Sequence, residues 1–161
     1  MSYATIRAAI NTAISAVAGI TGGAGKVLNF QPSVSRLEDY KTQFQGSATD
    51  INGWTISRER FSEEQQDGGF RFKTIHDIIV RGYGPAVKKG AIDTEENTLQ
   101  DLIDAVHNAI RGDETIWIVQ PEDDEEAIQT GIIEPISFGS VFVHHCEMRF
   151  RVEEIQTISI T

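Results

Sequence analysis

One cysteine, Cys146, occurs in 161 residues. An internal disulfide framework is therefore excluded, and a lone thiol suits a reducing compartment such as cytoplasm. The second shortage is positive charge: 14 lysines and arginines stand against 24 aspartates and glutamates, for a formal net charge of −10. Affinity for a phosphate backbone comes largely from protein cations replacing counterions, so nucleic-acid binding is disfavoured. No apolar run approaches the ~20 residues that span a bilayer. Asn11 and Thr12 interrupt the Ala/Ile-rich stretch near the start, so no export signal is legible. Neither a repeat at solenoid spacing nor a low-complexity tract is present.

Catalytic and metal motifs are equally scarce. No serine sits in a Gly-x-Ser-x-Gly elbow. Gly19 to Lys26 has the glycine and lysine spacing of a phosphate loop, but Val27 stands where the magnesium-holding Ser or Thr belongs, and the expected order is helix then strand, the reverse of what that loop needs. A helix-to-strand linker is the better reading. His144, His145 and Cys146 are the one cluster of metal-ligand types. Successive strand residues point to opposite faces, so His144 and Cys146 share a side without His145, and two ligands are too few for zinc. His76 and His107 have no useful spacing to them. Glu122 to Glu126 lacks the alternating ligands and central glycine of a calcium loop and reads as a solvated linker. No catalytic, metal or cofactor residue is expected.

What is present is ordinary globular material. Apolar residues at 40% and charged residues at 24% exclude global disorder, and the length suffices for one core, so a single domain over 1–161 is expected. From Tyr3 to Ala18, Ile6, Ile10, Ile14 and Val17 recur at three and four, which predicts an amphipathic helix. Lys26 to Phe30 is a short strand candidate before Pro32. Ser33 or Ser35 is placed to cap a short helix whose buried side holds Leu37, Tyr40 and Phe44. Trp54 to Phe61 and Phe70 to Val80 predict a long hairpin, with Glu63 to Gly69 as its tip. In its second arm Phe70, Phe72, Ile78 and Val80 share one parity while Arg71, Lys73, Asp77 and Arg81 share the other, so one face of the sheet is expected to be wet.

Asp93-Thr94-Glu95-Glu96 predicts a helix start capped by Asp93. Leu99, Ile103, Val106 and Ile110, with Leu102 alongside, mark its buried stripe, and Asp101, Asp104 and Asn108 its solvent side; Arg111-Gly112 ends it. Thr115 to Val119 predicts a buried strand. Ile132 to Phe138 and a last strand, in which Cys146, Met148, Phe150 and Val152 alternate with Glu147, Arg149, Arg151 and Glu153, predict a closing hairpin turning near Gly139-Ser140. The expected fold is α+β: a mostly antiparallel sheet with two main helices packed on one face, and a long β-hairpin. A projecting hairpin exposes strand edge that a neighbouring chain can cover. Glu63, Glu64, Gln65, Gln66 and Asp67 at its tip are therefore the candidate partner-binding residues.

This order resembles the tail terminator, or minor tail-completion, family of long-tailed bacteriophages. The resemblance rests on the whole pattern, from Tyr3-Ala4-Thr5-Ile6-Arg7 through Trp54-Thr55-Ile56 and Asn97-Thr98-Leu99-Gln100-Asp101-Leu102 to Cys146-Glu147-Met148-Arg149-Phe150-Arg151-Val152. It implies a non-enzymatic virion protein at the head-to-tail junction, assembled in the host cytoplasm. There a homo-oligomeric ring, usually of six subunits, caps the tail tube and meets neck or connector proteins, with no membrane involved. Six copies at −10 each carry −60, and an acidic lumen would let DNA pass without binding. The alternatives within the class are a head-tail connector, neck or tail-tube subunit. From other classes come a small metal-dependent or hydrolytic enzyme using His144 and Cys146, and a ligand-binding module.

Overall fold

The computed structural model describes residues 2–30, 42–45, 51–66, 71–86, 92–119, 127–138 and 141–157. Helix α1, Tyr3–Ser15, begins where the Ser2 hydroxyl accepts from the Thr5 amide, and it buries Ile6, Ile10 and Ile14. Each of these is fully shielded from solvent, which is worth ~1.5–3 kcal/mol per side chain relative to exposure. A turn with left-handed Gly19, Gly22 and Gly23 leads into β1, Lys26–Leu28, so the glycine segment is a helix-to-strand connection as expected.

Strands β2, Gly53–Gln66, and β3, Arg71–Ala86, form the long hairpin, and helix α2, Ile92–Gly112, follows. Short β4, Ile128–Thr130, and β5, Glu134–Phe138, precede the 17-residue β6, Val141–Thr157. The sheet order is β1-β2-β3-β6-β4, with β5 pairing the start of β6. Among the described residues, only β1 against β2 is parallel. The fold is α+β.

Both helices cover one sheet face. Leu99, Ile103, Val106 and Ile110 of α2 join the isoleucines of α1 over Trp54, Ile56, Ile78, Val80, Cys146, Met148, Phe150 and Val152. The alternations read from β3 and β6 thus decide which residues meet the helices. Trp54 is the largest fully buried side chain, and its Nε1–H donates to Asn52 Oδ1 at 3.2 Å. Asp101, Asp104 and Asn108 are exposed on the far side of α2. No helix among the described residues is long and apolar enough to cross a membrane.

Several expectations change. Glu63, Glu64, Gln65 and Gln66 are not a loop: the ladder runs on through Glu63↔Thr74 and Gln66↔Arg71, because β-pairing satisfies backbone groups whatever the side chains' polarity. Asp67 lies outside the described residues. Thr115 to Val119 is no continuous strand. Ile116 is buried, but a single bridge, Ile118↔Val152, ties the segment to β6, and Trp117 is 58% exposed. Helix α2 begins at Ile92, which puts Asp93 inside the helix rather than at its cap. Strand β5 starts at Glu134, leaving Ile132 exposed. Of the short helix expected between Ser33 and Phe44, residues 42–44 are helical, and the remainder, with Leu37 and Tyr40, lies outside the described residues. The run from Glu122 to Glu126 and the Gly139-Ser140 turn lie outside them as well.

The face opposite the helices is not uniformly wet. At one end Phe44, Ile51, Tyr83 and Val143 form a second small core, with Phe44 and Tyr83 rings 4.6 Å apart. Among the described residues, no helix covers this face towards the hairpin tip.

Candidate functional site

The hairpin and the end of β6 form a three-stranded arm in which Gln66, Arg71 and Thr157 lie at the far end of the ladder. β1 pairs only with Gly53, Trp54 and Thr55 of β2. Among the described residues, nothing pairs with the outer edge of β2 from Ile56 to Gln66. Such an edge offers unpaired N–H and C=O groups to any passing strand. Two features restrain indiscriminate pairing: a register shift between Arg58 and Arg60, and the charged side chains Glu59, Arg60, Glu63 and Glu64. Glu63, Glu64 and Gln65 are exposed and Gln66 half-buried, so four of the five expected partner-binding residues line this edge rather than a loop.

On the helix side of the arm lies a polar cluster that sequence reading treats as ordinary strand residues. His76 Nε2–H donates to Glu154 Oε2 at 2.8 Å, with side chains only 3% and 2% exposed. Gln156 Nε2 donates to the other oxygen of Glu154. The Arg58 guanidinium lies 3.4 Å from His76 Nδ1 and sits over the rings of Tyr3 at 4.3 Å and Phe61 at 4.6 Å. The cluster ties the start of α1 to three strands at the base of the arm. Its trace in the sequence is parity: His76 falls in step with Ile78 and Val80, and Glu154 in step with Phe150 and Val152, where an apolar residue is the default.

On the opposite face an ion-pair ladder crosses the arm. Asp77 accepts from Arg60 at 2.8 Å and from Arg151 at 3.1 Å. Glu147 accepts from Arg81 at 2.8 Å and Arg149 at 2.7 Å, and Arg149 also reaches Glu59 at 3.0 Å. Burial acts to raise the Glu147 pKa, but the Arg149 hydrogen bond and the nearby Arg81 and Arg149 charges outweigh it, so the carboxyl is held below its usual value. A cavity of about 250 Å³ opens here, lined by Glu59, Arg60, Asp77, Gln129, Arg149 and Arg151 among others.

The histidine and cysteine cluster behaves as parity predicts. His144 and Cys146 point into the same buried side, at 3% and 0% exposure, while His145 sits on the other, its ring 5.1 Å from Tyr83. Burial pushes the Cys146 thiol up to about 12, leaving it protonated and a poor ligand or nucleophile. His144 Nε2 is buried with no hydrogen-bond partner. Burial likewise lowers the His145 pKa, against the pull of Glu147 and Glu134. Among the described residues, no group of three His, Cys, Asp or Glu side chains is arranged to hold a metal ion. His107 is half-buried on α2.

The chain matches no protein-family model, and comparison with curated proteins finds no relative.

Proposed function

We propose that this protein is a structural subunit of a bacteriophage tail, a terminator that closes into a ring, caps the tail tube and presents a docking face to neck or connector proteins. The observation that carries the reading is the arm: among the described residues nothing pairs with the edge of β2 from Ile56 to Gln66, and α1 and α2 both pack on one sheet face. A monomer gains nothing from such an edge, whereas a subunit contact covers it. A ring needs one patch of each subunit to meet a different patch on the next, with a rotation that closes. The arm edge with Glu63 to Gln66 supplies one patch. No step of this role asks for catalysis, a cofactor or a metal, and the net charge of −10 per copy suits a lumen through which DNA slides.

Light scattering of the purified protein across a concentration series, with negative-stain images of the same samples, tests the reading. Closed rings of fixed subunit number that shorten tail tubes when added during tube assembly are the expected result. Open polymers growing with concentration would make it a tube subunit instead. A monomer at every concentration, with no effect on tube length, overturns the proposal.

A further inference from the structure

The polar cluster at the base of the arm has a hydrogen-bond pattern that fixes its protons. A guanidinium carries donors and no acceptor. Arg58 Nη1 lies 3.4 Å from His76 Nδ1, so that nitrogen accepts and the single ring proton sits on Nε2. Nε2–H then donates to Glu154 Oε2 at 2.8 Å, and the other carboxylate oxygen accepts from Gln156. Each contact joins a donor to an acceptor only while the imidazole holds one proton. His76 and Glu154 are buried, whereas Arg58 is exposed and so is the member free to move. Its present position is held by Nδ1 and by two rings: Phe61, which lies opposite His76 in the ladder, and Tyr3 at the start of α1.

We propose that His76 is a proton-operated latch: with one ring proton it holds Arg58 against Tyr3 and Phe61, tying α1 to the arm, and a second proton expels Arg58 and releases that tie. The second proton comes from solvent and takes the Nδ1 lone pair. Two N–H donors on two cations then face each other across a contact that needs an acceptor, and the contact is lost. Glu154 has the opposite preference, since its carboxylate binds an imidazolium more strongly than a neutral ring. The buried pair therefore persists while Arg58 leaves for water. Among the described residues, the charged and titratable groups facing the ring are Arg58 from β2, Glu154 from β6 and Tyr3 from α1, whose ring centroid is 5.7 Å away. Arg7 lies beyond, 5.5 Å over the Tyr3 ring and donating to the Asn29 carbonyl. Lys73 and Asp77, on the same strand as His76, turn to the opposite face and pair there with Glu153, Arg60 and Arg151. The latch stands independently of the tail reading, because it concerns how the arm is fixed to its own helix.

The Tyr3 ring reports the latch directly. With tyrosine carrying carbon-13 in its ring, Tyr3 is one of three such signals and is assigned by Tyr3→Phe. Its resonance is followed from about pH 8, where the phenol itself is silent, down to the onset of acid unfolding seen by circular dichroism. One step in the Tyr3 shift is expected before unfolding, as Arg58 leaves the ring. Two variants should abolish that step from opposite ends. His76→Gln keeps a donor for Glu154 and an acceptor for Arg58 but takes up no proton, so Tyr3 should hold its alkaline position at every pH. Arg58→Gln has no cation to stack, so Tyr3 should hold the acid position of the parent at every pH. Arg58→Gln alters an exposed side chain and reports even where His76→Gln fails to fold. A Tyr3 resonance that stays still until the chain unfolds overturns the proposal. So does a step that survives in His76→Gln, which would assign the proton to Glu154 or another group, and so does one that survives in Arg58→Gln.

Discussion

Replacing Gly82 with alanine tests how the sheet accommodates its largest core residue. Gly82 faces Trp54 across β2 and Cys146 across β6. A Cβ added there would lie 2.7 Å from Trp54 Cζ3 and 2.8 Å from both Cys146 Sγ and Trp54 Cη2. Trp54 and Cys146 are fully buried, so neither has free space to move into. Overpacking of this kind costs ~1–3 kcal/mol, and the lower conformational entropy of alanine in a strand returns ~0.5–1 kcal/mol. A net destabilisation of about 1–2 kcal/mol is expected, or a fall in Tm of about 2–8 °C for a chain of this size. Trp54→Phe removes both ring atoms that collide, so in a double-mutant cycle the pair should be less destabilised than the sum of the singles by at least ~0.5 kcal/mol. Urea unfolding followed by far-UV circular dichroism, which does not depend on the deleted indole, supplies the four free energies. Additivity to within ~0.3 kcal/mol, or a Gly82→Ala variant as stable as the parent, would refute the packing argument.

Other outcomes follow from the same structure. Glu154→Ala leaves His76 buried without its acceptor and should cost ~3 kcal/mol in denaturant unfolding, because an orphaned buried polar group bears its full desolvation penalty; Glu154→Gln keeps an acceptor oxygen and should lose less. The folded-state pKa of His145 lies below 6.5, so the unfolded chain binds more protons as pH falls through that value. Its contribution to stability is whole above pH 6.5 and erodes as pH falls towards the lowered folded value, and His145→Gln should flatten that part of the stability profile. Glu147, lowered from 4.5, acts further down: its contribution holds above pH 4.5 and is lost below, and Glu147→Gln should remove it. Cys146, with its thiol pushed up to about 12, should resist maleimide at pH 8 until the chain unfolds, and rapid stoichiometric labelling of folded protein would contradict its burial.

Periodicity carried the two helices and the faces of the long strands. Ile6, Ile10 and Ile14, and later Leu99, Ile103, Val106 and Ile110, repeat at a spacing that only a helix turns to one side. Cys146 to Val152 alternate as only a strand can, and every one of these apolar residues is buried. The length of the arm was not legible in the same way. Glu63 to Gln66 are polar because both sides of them are wet, so nothing in their side chains separates a paired strand from a loop; pairing with Arg71 to Thr74 decides it. For the same reason four of the five candidate partner residues, Glu63 to Gln66, were expected in a loop and lie instead on a paired strand. Thr115 to Val119 erred the other way: an apolar run reads as a buried strand, yet only Ile116 and Ile118 turn inward, and Trp117 stays in solvent.

Sequence alone therefore determined an α+β protein with one main core, because burial of apolar side chains imposes local periods that survive without knowledge of any neighbour. Tertiary structure decided what those periods do not encode. His76 and Glu154 are 78 residues apart, and only antiparallel pairing of β3 with β6 turns two isolated polar residues into one buried pair. Asp77 accepts from Arg60 and Arg151, and Glu147 from Arg81 as well as its strand neighbour Arg149, so pairing of β2, β3 and β6 turns scattered charges into one ion-pair ladder. Net charge is a sum over composition, but the field at a surface depends on which charges the fold brings within a few ångströms of one another.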